Sequence, residues 1–426
     1  MNKQKAKELE FAAFVGWDWA DQQHELRLQV AGSSEIERQV IKQDPTTLCE
    51  WVEQLRKRFA GAKVAIAIEQ ARGAVVYALM AYDFLVIYPL NPKCLASYRE
   101  AFRPSNAKDD PFDAELALDL LTKHRDQLRS WQPDDELTRT LRLHVEHRRE
   151  MVDERSRLTN RVKSVLKFYF PQGLRWAGDL GSRQACDFLS AWPSLEAVTE
   201  AGQSALREFY TKHGCKRKTI DQRLKEIREA VPLTTDRPVI AASSRRVKAC
   251  MNQVRCLTEA IDELDGYIEE LFASHPDHSL FASFPGAGKV LAPRLSVAFG
   301  TDRSRYESAD EVQRLTGIAP VTKRSGKALR VYRRFSRPKF MHQTFVEFAG
   351  QTIFRSPWAR AFYDQYRQGG SGHYAALRAL AFKWLRIIYR CWIDRAPYDE
   401  QKYQMSLSRT GSPLARTLNS AVQASA

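Results

Sequence analysis

The chain has 426 residues, 44% of them hydrophobic, with 66 Lys+Arg against 51 Asp+Glu and a formal charge of +15. That length suggests two or three domains and excludes, with this apolar content, a wholly disordered chain. No run approaches the ~20 apolar residues that cross a bilayer, and the basic start Met1–Lys7, followed by Glu8 and Glu10, makes a poor signal peptide, so a cytoplasmic protein with no membrane partner is expected.

Strand and helix signals alternate over the first ~90 residues. Phe11–Gly16 is a short apolar run ending at Trp17-Asp18, and His24–Val30 and Glu35–Ile41 alternate as half-buried strands do. Asp44-Pro45 opens a helix that reaches Phe59, with the proline suited to the first turn. Lys63–Ile68 predicts a buried strand ending in Glu69, followed by a helix over Ala74–Tyr82 and a strand over Phe84–Tyr88. This order predicts a mixed α/β sheet.

From Asp113 to His278 the pattern is mostly helical. Leu137, Leu141, Val145 and Val152, then Leu158, Val162, Val165 and Tyr169, recur at helical spacing up to Pro171-Gln172-Gly173. Val247, Met251, Val254, Leu257, Ile261, Leu264, Ile268 and Leu271 form a second apolar seam, which suits a bundle helix and an intermolecular coiled coil equally. Leu174–Val231 is a smaller insertion between them. Phe281–Tyr398, rich in Gly, aromatics and Arg, is expected to be mainly α-helical, and the Ser-rich stretch after it reads as a disordered tail. The expected domains are 1–125, a helical coiled-coil middle 126–278 with its insertion at 174–231, 279–400, and a tail 401–426.

Seven scattered cysteines without a C-x-x-C pair and nine histidines without an H-E-x-x-H motif support neither a disulfide framework nor a zinc site. A catalytic metal would be a hard ion held by carboxylates. Asp18 and Glu69 each stand at the end of a predicted strand, and Asp110 and Asp113 lie three apart around Pro111, so both can face one way in the first turn of a helix. Converging carboxylates repel one another unless a divalent cation neutralises them, as in two-metal phosphoryl-transfer sites. Singly, each reads as a turn or helix cap. Together, in this strand order, they match an RNase H-like plan.

Val321–Phe340 carries Lys323, Arg324, Lys327, Arg330, Arg333, Arg334, Arg337 and Lys339 with no Asp or Glu, interleaved with Tyr332, Phe335 and Phe340. This points to nucleic-acid contact. Upstream, the glycines of Pro285-Gly286-Ala287-Gly288 resemble a helix-hairpin-helix turn, where backbone amides approach phosphate, although a plain glycine turn fits as well. Ser325 sits inside the basic run; from the residues alone it is a turn residue, with Tyr332 and Ser336 as neighbouring nucleophiles.

The segments Phe14-Val15-Gly16-Trp17-Asp18-Trp19-Ala20, Ala67-Ile68-Glu69-Gln70 and Lys108-x-Asp110-x-x-Asp113-Ala114 resemble the DEDD motifs of the RuvC-like transposases of the insertion-sequence-110 family. Phe284-Pro285-Gly286-Ala287-Gly288, Leu315-Thr316-Gly317-Ile318-Ala319-Pro320 and Arg324-Ser325-Gly326-Lys327 are similar to that family's C-terminal transposase domain. The chain departs from it at Phe335-Ser336-Arg337-Pro338-Lys339-Phe340, where many members carry a Ser-Lys-Arg-Gly-Asn type segment. The resemblance implies an RNase H-like (RuvC-like) N-terminal domain binding Mg²⁺ or Mn²⁺ through Asp18, Glu69, Asp110 and Asp113, with Ser325 as nucleophile. It further implies donor and target DNA as substrates, a bridge RNA as guide, a dimer or tetramer, and a bacterial, nucleoid-associated setting. The alternatives are a metal-dependent junction nuclease using water and a non-catalytic nucleic-acid-binding protein.

Overall fold

The computed structural model describes residues 11–69, 73–102, 110–326 and 328–415, and of residues 110 and 111 the backbone alone. They fall into two compact units divided after Pro133.

In the first unit, strands β1 (Ala13–Asp18), β2 (Gln23–Val30), β3 (Ile36–Lys42), β4 (Val64–Ile68) and β5 (Leu85–Pro89) form one sheet in the order β3-β2-β1-β4-β5. The first three pair antiparallel, and β4 and β5 add in parallel, which is the mixed sheet the sequence predicts. Helix α1 (Pro45–Arg58) starts where the Asp44 carboxylate accepts from the Thr47 amide, and α2 (Ala74–Leu79) follows β4. Helices α3 (Pro92–Phe102) and α4 (Asp110–Lys123) complete the unit. Side chains alternate across the sheet. Val15, Trp17, Leu26, Leu28, Val64, Ile66 and Ile68 pack with Trp51, Val52 and Leu55 of α1 and Val75, Val76 and Leu79 of α2. Phe14, Ala65, Ala67 and Tyr88 meet Leu116, Leu120 and Leu121 of α4 and Leu95 of α3 on the opposite face.

The second unit is mostly helical. Helix α5 (Glu136–Tyr169) is followed by five shorter helices, α6 (Gly173–Ala177), α7 (Arg183–Ala191), α8 (Leu195–Glu200), α9 (Gly202–Lys212) and α10 (Arg217–Arg228), and then by α11 (Arg237–Ala273). Arg148 pairs with Asp265 and Arg155 with Thr258, so α5 and α11 run antiparallel with a polar waist. At one end of the pair, Leu158, Val162, Leu166, Val247, Met251 and Val254 share a core with Trp176, Phe188, Tyr210 and Leu224. The insertion after Gly173 therefore buries that end of the helix pair. At the other end, Leu141, Val145, Ile268 and Phe272 join a core built on Phe348, Trp358, Trp384 and Trp392. That core is supplied by α12 (His278–Ala282), α13 (Gly288–Phe299), α14 (Ala309–Leu315), α15 (Lys339–Thr352), α16 (Pro357–Gln368) and α17 (His373–Asp394).

Three expectations change. The α11 seam faces its own chain: Val247, Met251, Val254, Ile261 and Ile268 are buried, and Leu257, Leu264 and Leu271 pack half-buried against the same cores. It offers no apolar stripe for a partner helix. The third region also contains an antiparallel hairpin, β6 (Val321–Ser325) and β7 (Ala328–Tyr332), whose β-branched Val321, Thr322 and Val331 favour extended backbone. Finally, α18 (Glu400–Arg409) occupies part of the expected tail. Asp399 caps it by accepting from the Lys402 amide, and Leu407 and Leu414 are buried beyond it. Two apolar anchors spaced seven apart outweigh the polar composition around them. Among the described residues, no helix is long and apolar enough to cross a membrane.

Candidate functional site

The acidic residues of the first unit gather by strand register. Trp17 of β1 pairs with Ile68 of β4 in parallel, so the next residues, Asp18 and Glu69, leave adjacent strands side by side, about 4.8 Å apart by strand spacing. Alternation puts both on the face that α4 covers, since Phe14 and Gly16 precede Asp18 there and Ala65 and Ala67 precede Glu69. Gly16 allows α4 to come this close: a Cβ there would lie 2.1 Å from the Ala114 carbonyl oxygen. That contact brings the first turn of α4, with Asp113, over the end of β1.

Asp18 and Asp113 are buried and Glu69 is half-buried. The Asp110 side chain lies outside the described residues; its backbone opens α4. Arg99 of α3 grips Asp113 through both oxygens, Nε to Oδ1 and Nη2 to Oδ2, each at 2.6 Å. Among the described residues, no three His, Cys, Asp or Glu side chains come close enough to hold an ion together. The donor set nevertheless suits a hard divalent cation: Asp18 and Glu69 stand in register, and the buried Asp113 already takes a positive partner.

Sequence reasoning missed the companions of these acids. Glu25 of β2 stands opposite Asp18, and Arg27 stands opposite Gly16, so both lie on the α4 face. Arg27 is buried, donates to the Leu26 carbonyl (2.8 Å) and pairs with Glu25 (3.2 Å), while its buried Nε has no hydrogen-bond partner among the described residues. The alternation of β2 reads as a solvated polar face, and nothing local announces that α4 covers it.

The basic residues sit on the hairpin of the second unit. Ser325 ends β6 opposite Ala328, and Gly326, which follows it, has a φ of +55° that favours glycine. Alternation places Ser325 on one face with Lys323, Arg330 and Tyr332, and Lys323 stands directly opposite Arg330. Like charges across a ladder destabilise it, so this face is poised for an anion. The Lys323 ammonium lies 5.9 Å from the Tyr332 ring centroid, and all four residues are exposed. Arg324 is on the other face, across from Leu329, beside Val331; those two apolar side chains are each 63% exposed. Lys327 lies outside the described residues.

After the hairpin, Arg333 stacks over Phe335 at 5.6 Å, and Arg337 packs on Gly317, where a Cβ would sit 2.5 Å from its side chain. Arg337 donates to the Arg334 carbonyl. Burial, and then the Arg333 guanidinium, push the Arg337 and Arg378 guanidiniums below their ordinary range, and no carboxylate among the described residues offsets them. His342 donates from Nδ1 to the Thr316 carbonyl (3.2 Å) and is pushed down to about 4, first by burial and then by Arg337. Lys339 is neutralised by Asp153 at 2.8 Å. Arg378 and His342, contributed by α17 and α15, extend a cluster that the sequence shows only in part. Gly286 (φ +77°) lies in the turn before α13, and a Cβ there would meet Gln351 at 3.1 Å, so its close approach is to α15; Gly288 faces open space.

An acid-lined sheet edge and a hairpin whose cations meet no carboxylate among the described residues define a class of protein that handles polyanions. A transposase model of the IS110 DEDD type matches residues 15–171, and a model described as transposase IS116/IS110/IS902 family matches residues 278–364. The chain is 27% identical over 397 residues to a Streptomyces coelicolor protein named as a mini-circle transposase candidate for IS117, covering 91% of this chain and 96% of that one. It is 26% identical over 377 residues to a 42 kDa protein of insertion element IS900 from Mycobacterium paratuberculosis, covering 84% and 90%. A 43.6 kDa protein of IS110 from Streptomyces coelicolor is 26% identical over 305 residues, covering 70% and 74%. The two family models together span more than half of the chain, and it belongs to the IS110 family of transposases.

Proposed function

We propose that this transposase cuts and rejoins the DNA of its insertion element through a phosphoserine link to Ser325, with an RNase H-like carboxylate site at Asp18, Glu69, Asp110 and Asp113. The observation that carries the reading is the register of Asp18 and Glu69, which sets two carboxylates side by side under the first turn of α4. When bound there, Mg²⁺ or Mn²⁺ would supply Lewis-acid stabilisation of charge on phosphate oxygens.

The hydroxyl of Ser325 attacks a DNA phosphodiester; the Oγ–P bond forms, the bond from phosphorus to one strand's oxygen breaks, and the serine proton leaves as that oxygen gains one. Attack by another strand's hydroxyl on the phosphoserine then rejoins DNA and frees the serine, so bond energy is conserved and no nucleotide triphosphate is consumed. Lys323 and Arg330, on the serine's own face, hold the phosphate and stabilise its developing charge. Arg324, Lys327, Arg333, Arg334, Arg337 and Lys339 contact neighbouring backbone. Donor and target choice by a bridge RNA fits contacts aimed at backbone and shape. The proposed domains are 1–125, 126–278 and 279–400, acting as a dimer or tetramer.

Trapping the full chain on nicked donor DNA with Mg²⁺ tests this. A covalent adduct lost in both Ser325→Ala and Asp18→Asn is expected. Cleavage that survives Ser325→Ala, without an adduct, overturns the serine's role in favour of a water-using nuclease. Binding without any cleavage, with or without metal, overturns catalysis by this chain altogether.

A further inference from the structure

A carboxylate with no exposed surface needs a counter-charge, because leaving it unpaired costs several kcal/mol. The Asp113 side chain is fully buried, and its counter-charge is Arg99, itself 15% exposed, which satisfies both oxygens with a planar fork. Yet Asp113 is one of the acids that the carboxylate reading assigns to a divalent cation. A guanidinium and a divalent cation on one carboxylate repel each other, and the fork already engages both oxygens.

We propose that Arg99 is a built-in counter-cation of the carboxylate site, holding Asp113 in the metal-free chain and giving it up when a divalent cation binds. This rests on the reading of Asp18, Glu69 and Asp113 as metal ligands. The geometry suits an exchange. Arg99 is a side chain of α3, a separate helix from the one bearing Asp113, so releasing the fork moves one flexible side chain and no strand. Helix α3 stays docked without it, since Leu95 is buried and the Tyr98 hydroxyl donates to Asp119 of α4 at 2.6 Å. The arrangement keeps the buried acid folded and neutralised before metal arrives, and it weakens metal affinity by the work of displacing Arg99.

The two roles open to Arg99 predict opposite signs. A residue that only positions Asp113 for the metal strengthens binding, so removing it weakens affinity. A competing cation does the reverse. Calorimetric titration of the full chain with Mn²⁺, alongside thermal melts in EDTA and in saturating Mn²⁺, separates them. Arg99→Gln is expected to bind Mn²⁺ about tenfold tighter, within the usual range for coupled sites. It should melt lower than the parent in EDTA and recover in Mn²⁺. Arg99→Lys, which keeps the charge but loses the fork, should fall between the two and serves if the glutamine variant does not fold. Unchanged or weaker Mn²⁺ binding in Arg99→Gln, or a melting loss that Mn²⁺ does not restore, overturns the proposal. Asp18→Asn is the control for the underlying reading: if Mn²⁺ affinity is untouched by it, the carboxylate site fails, whatever Arg99 does.

Discussion

The acidic edge and the cationic hairpin treat charge in opposite ways. At the edge, Asp18 and Asp113 are buried, and Asp113 is already matched by Arg99 with two 2.6 Å contacts. On the hairpin, Lys323 and Arg330 face each other in the open, and beyond it Arg337 and Arg378 press on Arg333 with no described carboxylate to offset them. A buried charge without a partner would unfold its surroundings, so the first site carries its counter-ion in the fold. An exposed charge is screened by water and tolerates repulsion, so the second can wait for a ligand. The Val321–Phe340 run, with eight cations and no acid, carries a dense share of the net +15, whereas the edge gathers acids.

The contrast predicts that the edge fails by packing and the hairpin by binding. The largest effect is expected for Gly16→Ala. Its Cβ would lie 2.1 Å from the Ala114 oxygen and 2.5 Å from the Leu118 nitrogen, both backbone atoms, so β1 and α4 must part. Urea unfolding should show a loss of roughly 3 kcal/mol, whereas Gly326→Ala, with no described residue within 4 Å but φ +55°, should lose only about 1 kcal/mol. Equal losses would show that close packing at Gly16 does not hold β1 against α4.

Next in size, the pair Lys323→Gln and Arg330→Gln should weaken DNA binding by about tenfold or more and reduce the slope of log affinity against log salt by about 2. Its melting temperature should hold or rise, because the like-charge pair is gone. Arg378→Gln should lower the same slope by about 1 and slightly stabilise the free chain. A melting loss in either variant would mean that these cations support the fold.

The last effect concerns pH. The folded-state pKa of His342, about 4, lies below its ordinary 6.5, so the unfolded chain takes up that proton first. Its contribution to stability is complete above pH 6.5 and is lost as pH falls toward 4. Melts across that window should flatten in His342→Gln. Nucleic acid bound at the neighbouring arginines should raise the His342 pKa, which NMR titration would register; no change would place the phosphate elsewhere.

The sheet was legible in the sequence because its strands carry strong alternation and stand between clear breakers, such as Asp44-Pro45 and Pro89. Asp18 and Glu69 were legible as strand-end acids, and their register follows from β1 and β4 being parallel neighbours. Arg99, Glu25 and Arg27 were not, because their significance depends on α4 covering the sheet, a contact fixed by Gly16 and invisible to local periodicity. The hairpin was hidden by its charges: Lys323 and Arg330 mask the β-branched Val321, Thr322 and Val331. Seam residues on α11 were legible as buried, but spacing does not say whether the partner helix lies in the same chain.

The most direct test of the account is to digest the trapped protein–DNA adduct and find the modified residue by mass spectrometry. The expected result is a nucleotide on Ser325 alone, formed only with Mg²⁺ or Mn²⁺ present. A nucleotide on Tyr332 or Ser336, or an adduct that forms without metal, would contradict it.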